Sequence, residues 1–287
     1  HREKRDDRNA RAGSHRFDER LACYRVRGYA FHMTNENARK LMEITARSYC
    51  SIAPQFSQSR SKSWADCTAL ARHVNDGDRV LDVGCGNGRL LQSLESKNIS
   101  YTGVDSNPEF IEIARERYGA DGHTFAIGNM TSLDAISELS GATFDTVFYI
   151  AALHHLPTEK LRLQALIQMR KRLARGGKLL MANWNLFHLT LEEKSVWKYA
   201  LKRIKTPASA WSELVGLPKS AFGWRDLPTH WREERQGQFL YYYAFIPGEI
   251  SRLCKMAGFT QVTSEYSHSG TPGHWWQSGN ILTVAYA

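Results

Sequence analysis

The sequence predicts an α/β protein whose core is a doubly wound, mostly parallel sheet of seven strands, preceded by helices and interrupted by a helical insertion before the last two strands. Two observations carry this. Short apolar runs alternate with helical patterns from Arg79 onward, as parallel strands demand, because each crossover needs a covering helix. The first run, Val80-Leu81-Asp82-Val83, opens into Gly84-Cys85-Gly86-Asn87-Gly88, and glycines let a chain turn sharply between a buried strand and a helix.

Residues 1–32 are rich in Arg and Asp and poor in aliphatics, so they read as a flexible basic arm. Residues 33–78 read as N-terminal helices and a substrate-side segment. From Asn35 to Tyr49 the residues Ala38, Leu41, Met42 and Thr45 recur at helical spacing. A second helix follows Trp64, with Ala69, Leu70 and Val74 ahead of the Asn75-Asp76-Gly77 turn.

The core, residues 79–185, has strands expected at Arg79 to Val83, Tyr101 to Val104, Thr124 to Ile127, Thr143 to Ile150 and Lys178 to Ala182. Helices are expected at Leu90 to Lys97, Pro108 to Tyr118, Ser132 to Leu139 and Thr158 to Ala174, the last one ended by Gly176-Gly177. Residues 186–238 break the rhythm with a Trp- and Lys/Arg-rich stretch, helical from Leu191 to Ile204 and punctuated by prolines from Pro207 to Pro228. A structureless loop of that length is rare in a compact domain, so it reads as an inserted lid. Residues 239–287 return to the sheet through a helix at Pro247 to Ala257 and strands at Phe259 to Ser264 and Ile281 to Ala285.

Composition narrows the function classes. No run approaches the roughly 20 apolar residues of a membrane span, and no charged start leads into an apolar leader, so a cytoplasmic protein is expected. The five cysteines are scattered and lack CxxC spacing, which argues against a disulfide framework and against a metal site. Of the net charge of +9, residues 1–80 carry 16 basic against 10 acidic side chains, residues 81–183 carry 11 of each, and residues 184–287 carry 11 against 8. The excess therefore flanks the core. A polyanionic partner would use such flanks, and a plain solvated surface would show the same numbers.

The glycine turn reads GxGxG, not the GxGxxG of dinucleotide binders, and Asp105 closes the next strand 19 residues after Gly86, where a carboxylate can accept from both ribose hydroxyls. In these residues the chain resembles the class I S-adenosylmethionine-dependent methyltransferases, with a Rossmann-like fold and S-adenosylmethionine as the implied cofactor. The resemblance implies that Asp82, Gly84, Gly86 and Gly88 shape the methionine side and that Asp105 takes the ribose. Cys85, Ser106, Asn129, Met130 and Ile150 complete the candidate cofactor contacts. Many members place an Asp at the adenine edge where this chain has Asn129, which offers a donor as well as an acceptor. A Rossmann dehydrogenase is the rival reading.

Three further segments should meet at the C-terminal edge of the sheet: Ile52 to Trp64, Ala151 to Leu156, and Asn183-Trp184-Asn185. The pattern IAPxFSxxRxKxW, the paired histidines, the tryptophan after the fifth strand and Tyr241-Tyr242-Tyr243 before Pro247 are similar to the wobble-uridine carboxyl methyltransferases of tRNA, which esterify 5-carboxymethyluridine. That likeness implies the tRNA anticodon loop as substrate, and some relatives work with a small activating protein subunit. A carboxylic acid is already ionised at neutral pH, so its methylation needs orientation and charge placement and no general base. Arg60, His154 and Tyr243 are the candidate catalytic residues, with Lys62, Trp64, His155 and Trp184 on the substrate side. Each has a plainer reading: Arg60 and Lys62 in a solvated loop, one histidine packed in the core, and tryptophans filling core or lid. A small-molecule methyltransferase and a non-catalytic binding subunit remain open from the residues alone.

Overall fold

The computed structural model describes residues 33–60, 62–189, 215–230 and 238–287. The arm at 1–32, the helix expected over 191–204, and Trp211 and Trp231 lie outside the described residues. No helix among the described residues is long and apolar enough to cross a membrane.

The first helix, α1, runs from Asn35 to Ser59, ten residues beyond the expected end. Thr34 caps it by accepting from the Asn37 N–H at 3.1 Å, which satisfies one of the donors left open at a helix start. Its buried stripe of Ala38, Leu41, Thr45, Ser48 and Ile52 keeps the three-and-four spacing straight through Tyr49. Pro54 removes one helical hydrogen bond, but it sits on the exposed side while Ile52, Ala53 and Ser57 stay buried. The segment from Ile52, expected only to reach the sheet's C-terminal edge, is therefore helical as far as Ser59. A short helix, α2 (Ala65–Ala71), follows.

The central sheet contains β1 (Arg79–Val83), β2 (Ser100–Asp105), β3 (Thr124–Ile127), β4 (Phe144–Ile150), β5 (Leu173–Trp184), β8 (Thr260–His268), β9 (Thr271–Pro272) and β10 (Asn280–Tyr286). Their spatial order is β3-β2-β1-β4-β5-β10-β8-β9. The first five are parallel, and β10 runs antiparallel between β5 and β8. The sheet thus has eight strands where seven were expected; the added one is the two-residue edge piece β9.

Helix α3 (Pro108–Tyr118) matches its expected bounds, α4 spans Glu159–Arg172, and α5 spans Pro247–Met256. Two expected helices are 3₁₀ turns instead, one at Arg89–Ser93 and a pair at Leu133–Ala135 and Ser137–Leu139. The buried anchors Leu133, Ile136 and Leu139 lie three apart, a spacing that three residues per turn serves better than 3.6. The Gly176-Gly177 pair does not end α4. It forms a bulge inside β5, whose register on β4 jumps from Phe144↔Leu173 to Thr146↔Lys178. A Cβ at Gly177 would lie 3.1 Å from the Asp145 carbonyl, so the close strand approach favours glycine there.

The described part of the insertion includes a 3₁₀ turn at Lys219–Ala221 and a strand, β6 (Asp226–His230), paired antiparallel with β7 (Phe239–Tyr243). This two-stranded sheet stands apart from the main one, so residues 239–243, expected with the sheet's C-terminal part, belong to the inserted layer. The Phe239 N–H donates to the α1 residue Ser48 through its Oγ at 2.8 Å, which pins β7 to the helix. The result is a cavity between the C-terminal edge of the main sheet and α1.

Candidate cofactor and acceptor site

The glycine turn is tied to the second strand, because the Gly84 and Cys85 N–H groups both donate to the Val104 carbonyl, at 2.7 and 3.0 Å. Gly84 has φ +76°, and a Cβ there would come within 2.9 Å of Ala152 Cβ, so only glycine lets the turn pass under the loop after β4. Asp105 faces the turn and holds it: its Oδ2 accepts from the Gly86 N–H and its Oδ1 from the Asn107 N–H, both at 2.9 Å. Burial raises the pKa of this carboxyl, and the backbone donors work against that rise.

A cavity of about 690 Å³ opens above the turn, within the range of small-molecule sites. Asp82, Gly84, Cys85, Gly86, Asp105 and Ser106 line it, and Asn129, Met130 and Ile150 stand along the wall. Of the expected cofactor contacts, Gly88 alone is absent from the lining. Its φ is +76° and a Cβ would strike the Tyr118 ring at 2.9 Å, so it serves packing against α3.

The electrostatics of the cavity ask for a ligand carrying both signs. The Tyr101 hydroxyl donates to Asp82 Oδ2 at 2.8 Å, whereas Asp82 Oδ1 is buried with no hydrogen-bond partner among the described residues. Burial pushes the Asp82 carboxyl up to about 7. Arg89 also lines the cavity, with its guanidinium 4.3 Å over the Trp64 ring, and burial lowers its pKa to about 10. A buried carboxyl oxygen in need of a donor, a half-buried cation, and Asp105 together fit the ammonium, carboxylate and ribose of a nucleoside that bears a free amino acid. At Asn129 the side-chain oxygen is already engaged by the Thr131 N–H and hydroxyl, at 2.9 and 2.8 Å, so only its amide donor can serve a ligand.

On the acceptor side, the structure brings some of the expected residues together and sends others away. Arg60 is half-buried at the end of α1, its guanidinium 5.6 Å from the Phe56 ring and 5.8 Å from the Trp184 ring. His155 lines the cavity and His154 is fully buried beside it, in ring contact with Trp184 at 5.0 Å and Tyr242 at 5.4 Å. Lys62 is exposed. Trp64, expected on the substrate side, lies under Arg89, which lines the cavity beside the glycine turn. Tyr243 points out of the site: its hydroxyl donates to Glu249 at 3.0 Å and its ring carries the Arg162 guanidinium at 3.7 Å. Successive strand residues face opposite ways, and it is Tyr242 that turns toward the histidines, 5.2 Å from His155 and 4.9 Å from Trp184.

Tyr49 and Arg89 were missed as well. Tyr49 continues the buried stripe of α1 and lines the cavity, and its hydroxyl lies 3.1 Å from His155 Nε2. The Tyr241 carbonyl can only accept, so the 2.9 Å contact to His155 Nδ1 assigns the proton to Nδ1 and leaves Nε2 as acceptor for the Tyr49 hydroxyl. Burial raises the Tyr49 pKa, so the phenol stays protonated and neutral. The signal for Arg89 was its place directly after the glycine turn.

A family model for the methyltransferase domain matches residues 81–179. The chain is 28% identical over 262 residues to a Xenopus tropicalis protein named tRNA (carboxymethyluridine(34)-5-O)-methyltransferase, covering 79% of this chain and 40% of that protein. It is 25% identical over 284 residues to the Saccharomyces cerevisiae protein of that name, covering 84% of this chain and 97% of that one. The chain therefore spans two fifths of the frog relative and nearly all of the yeast one. Among solved structures, a putative methyltransferase from Haloferax volcanii, in complex with the Trm112 methyltransferase activator, superposes with a TM-score of 0.53 at 19% identity, over 85% of this chain and 97% of that one. That is a likeness of fold. By its sheet order, its glycine-turn cavity and these similarities, the chain resembles the class I S-adenosylmethionine-dependent methyltransferases and, among them, the tRNA wobble-uridine carboxyl methyltransferases.

Proposed function

We propose that this chain transfers the methyl group of S-adenosylmethionine to the carboxylate of 5-carboxymethyluridine at the tRNA wobble position, giving the methyl ester and S-adenosylhomocysteine. The observation that carries the reading is the match to the yeast tRNA (carboxymethyluridine(34)-5-O)-methyltransferase, because it spans 97% of that protein and takes in both the cofactor half and the acceptor half of the site.

In this reading Asp82 meets the methionyl ammonium, Arg89 the methionyl carboxylate and Asp105 the ribose, while the Asn129 amide, Met130 and Ile150 border the adenine. The cofactor supplies a methyl group on a positively charged sulfur, which an oxygen anion can displace. Arg60 holds the acceptor carboxylate by a charge-assisted contact at the rim, strong enough to orient it. Tyr49 and His155 form a fixed hydrogen-bonded pair beside it, suited to shaping the site and excluding water. No group need remove a proton, since the acceptor enters ionised.

The partner is the tRNA anticodon loop, in keeping with the basic flanks, and a small activating subunit of the kind bound to the Haloferax neighbour belongs to the proposal. The test is incubation with labelled S-adenosylmethionine and tRNA carrying 5-carboxymethyluridine, with and without an activator protein, followed by nucleoside analysis. The methyl ester is the expected product. Its absence in both arms, with cofactor bound, would shift the reading to a small-molecule acceptor.

A further inference from the structure

The loop joining β9 to β10 is held more firmly than an exposed turn requires. Asn185, fully buried just past the end of β5, donates through Nδ2 to the Trp275 carbonyl at 2.6 Å and the Ser278 carbonyl at 2.8 Å, and its N–H donates to Gly279 at 2.9 Å. The His274 carbonyl accepts from the Gln277 and Ser278 N–H groups, at 3.1 and 3.0 Å, and the Trp276 carbonyl accepts from Leu189 at 3.1 Å. These bonds fix two neighbouring tryptophans in opposite directions. Trp275 packs inward against the cluster that holds Ile52, Leu186 and Tyr242. Trp276 faces outward at 39% exposure and stacks on the exposed His274 ring, centroids 4.4 Å apart and planes 3° from parallel. Leu189, at 59% exposure, stands next to the pair through its bond to Trp276.

The place of this pair matters as much as its form. Asn280, which ends the loop, pairs in register with Trp184, the residue over which the Arg60 guanidinium lies. The loop that carries the platform thus leads directly into the strand beside Trp184, and its inward Trp275 packs against the same apolar cluster as Trp184. The loop carbonyls named above are engaged by Asn185, by Leu189 and by the loop's own N–H groups, so the pair offers chiefly a flat π face. Such a surface takes a planar base irrespective of its identity. Arg60 over the Trp184 ring and a net charge of +9 favour a polyanionic partner over a neutral one.

A nucleotide whose base enters an enzyme cavity must leave its stack, and its neighbour then loses a stacking partner. We propose that His274 and Trp276 form a stacking platform for the unpaired base adjoining the methylated nucleotide. This rests on the tRNA reading above and adds a subsite to it.

The test uses the full chain and an anticodon stem-loop RNA with 2-aminopurine beside the wobble position, followed by fluorescence anisotropy and by quenching of the 2-aminopurine. Wild type should bind and quench. Trp276→Ala should bind about 5- to 150-fold more weakly and lose the quench, the range expected for one lost base–aromatic stack. Trp276→Phe should recover part of both, and His274→Ala should weaken the quench. Wild-type affinity and quenching in Trp276→Ala would overturn the platform while leaving the tRNA reading standing. A fall in melting temperature or in dimer content with RNA binding intact would also overturn it, in favour of a cover supplied by this chain or by a second copy. Failure of the wild-type protein to bind the stem-loop would overturn the tRNA reading itself, and the platform with it.

Discussion

The Tyr49 hydroxyl donates to His155 Nε2 across 3.1 Å, joining the N-terminal helix to the turn after β4 at the wall of the cavity. The ring contact between the two, edge-on at 5.3 Å, and those of Tyr49 with Phe56 at 5.6 Å and Phe110 at 6.2 Å, fasten α1 to the turn after β4 and to α3. Tyr49→Phe keeps the rings and deletes one hydrogen bond. Single-turnover methyl transfer should fall by roughly tenfold, the cost of about 1 to 1.5 kcal/mol for one such bond. The wild-type chemical step should be flat from pH 7 to 9, because the acceptor is ionised and burial holds the Tyr49 phenol above that range. A rising limb would mark a phenol or imidazole acting as base.

Asp82 should make cofactor binding depend on pH. Its carboxyl sits near 7 in the free protein because it is buried, and a ligand ammonium beside it would favour the ionised form and release a proton. S-adenosylhomocysteine affinity should therefore fall as pH drops below about 7, approaching tenfold per unit, and Asp82→Asn should flatten the curve. The same shift acts on stability. The folded value lies above that of the unfolded chain, so the apo protein loses stability as pH rises from about 4 to 7, by at most a few kcal/mol. Asp82→Asn should raise the apo melting temperature at pH 8 and leave it near wild type at pH 4. Calorimetry and thermal scans report both.

Arg89 is tested by trimming the ligand as well as the protein. Arg89→Met should weaken S-adenosylhomocysteine binding about 10- to 100-fold, the loss of a charge-assisted contact, and leave 5′-methylthioadenosine, which has no carboxylate, unchanged. Equal losses for both ligands in titration calorimetry would mean that Arg89 only braces Trp64.

Arg60→Ala should depress turnover by roughly two orders of magnitude, equivalent to about 2 to 3 kcal/mol, with little change in cofactor affinity. Arg60→Lys should recover part of the rate, because an ammonium cannot reproduce the planar contact with both carboxylate and ring. Single-turnover rates at saturating tRNA separate this from weakened binding. A wild-type rate in Arg60→Ala would remove it from the acceptor site.

Alternation of apolar runs with helical patterns determined the order and type of the core elements, and β1, β3 and α3 fall at the bounds their residues announce. The glycine turn and Asp105 were equally legible, since their work is local: positive φ at Gly84 and a carboxylate at a strand end. Only the tertiary structure decided matters that depend on distant partners. Periodicity says that Tyr242 faces opposite to Tyr241 and Tyr243, but pairing with β6 and the bond to Ser48 on α1 choose which face meets His155. Trp64 became a support for Arg89 through a contact 25 positions along the chain, and Trp276 became an outward platform because Asn185, more than ninety residues earlier, holds its loop. Sequence periodicity encodes which face of an element is buried; what that face touches is set by long-range packing, which no local pattern contains.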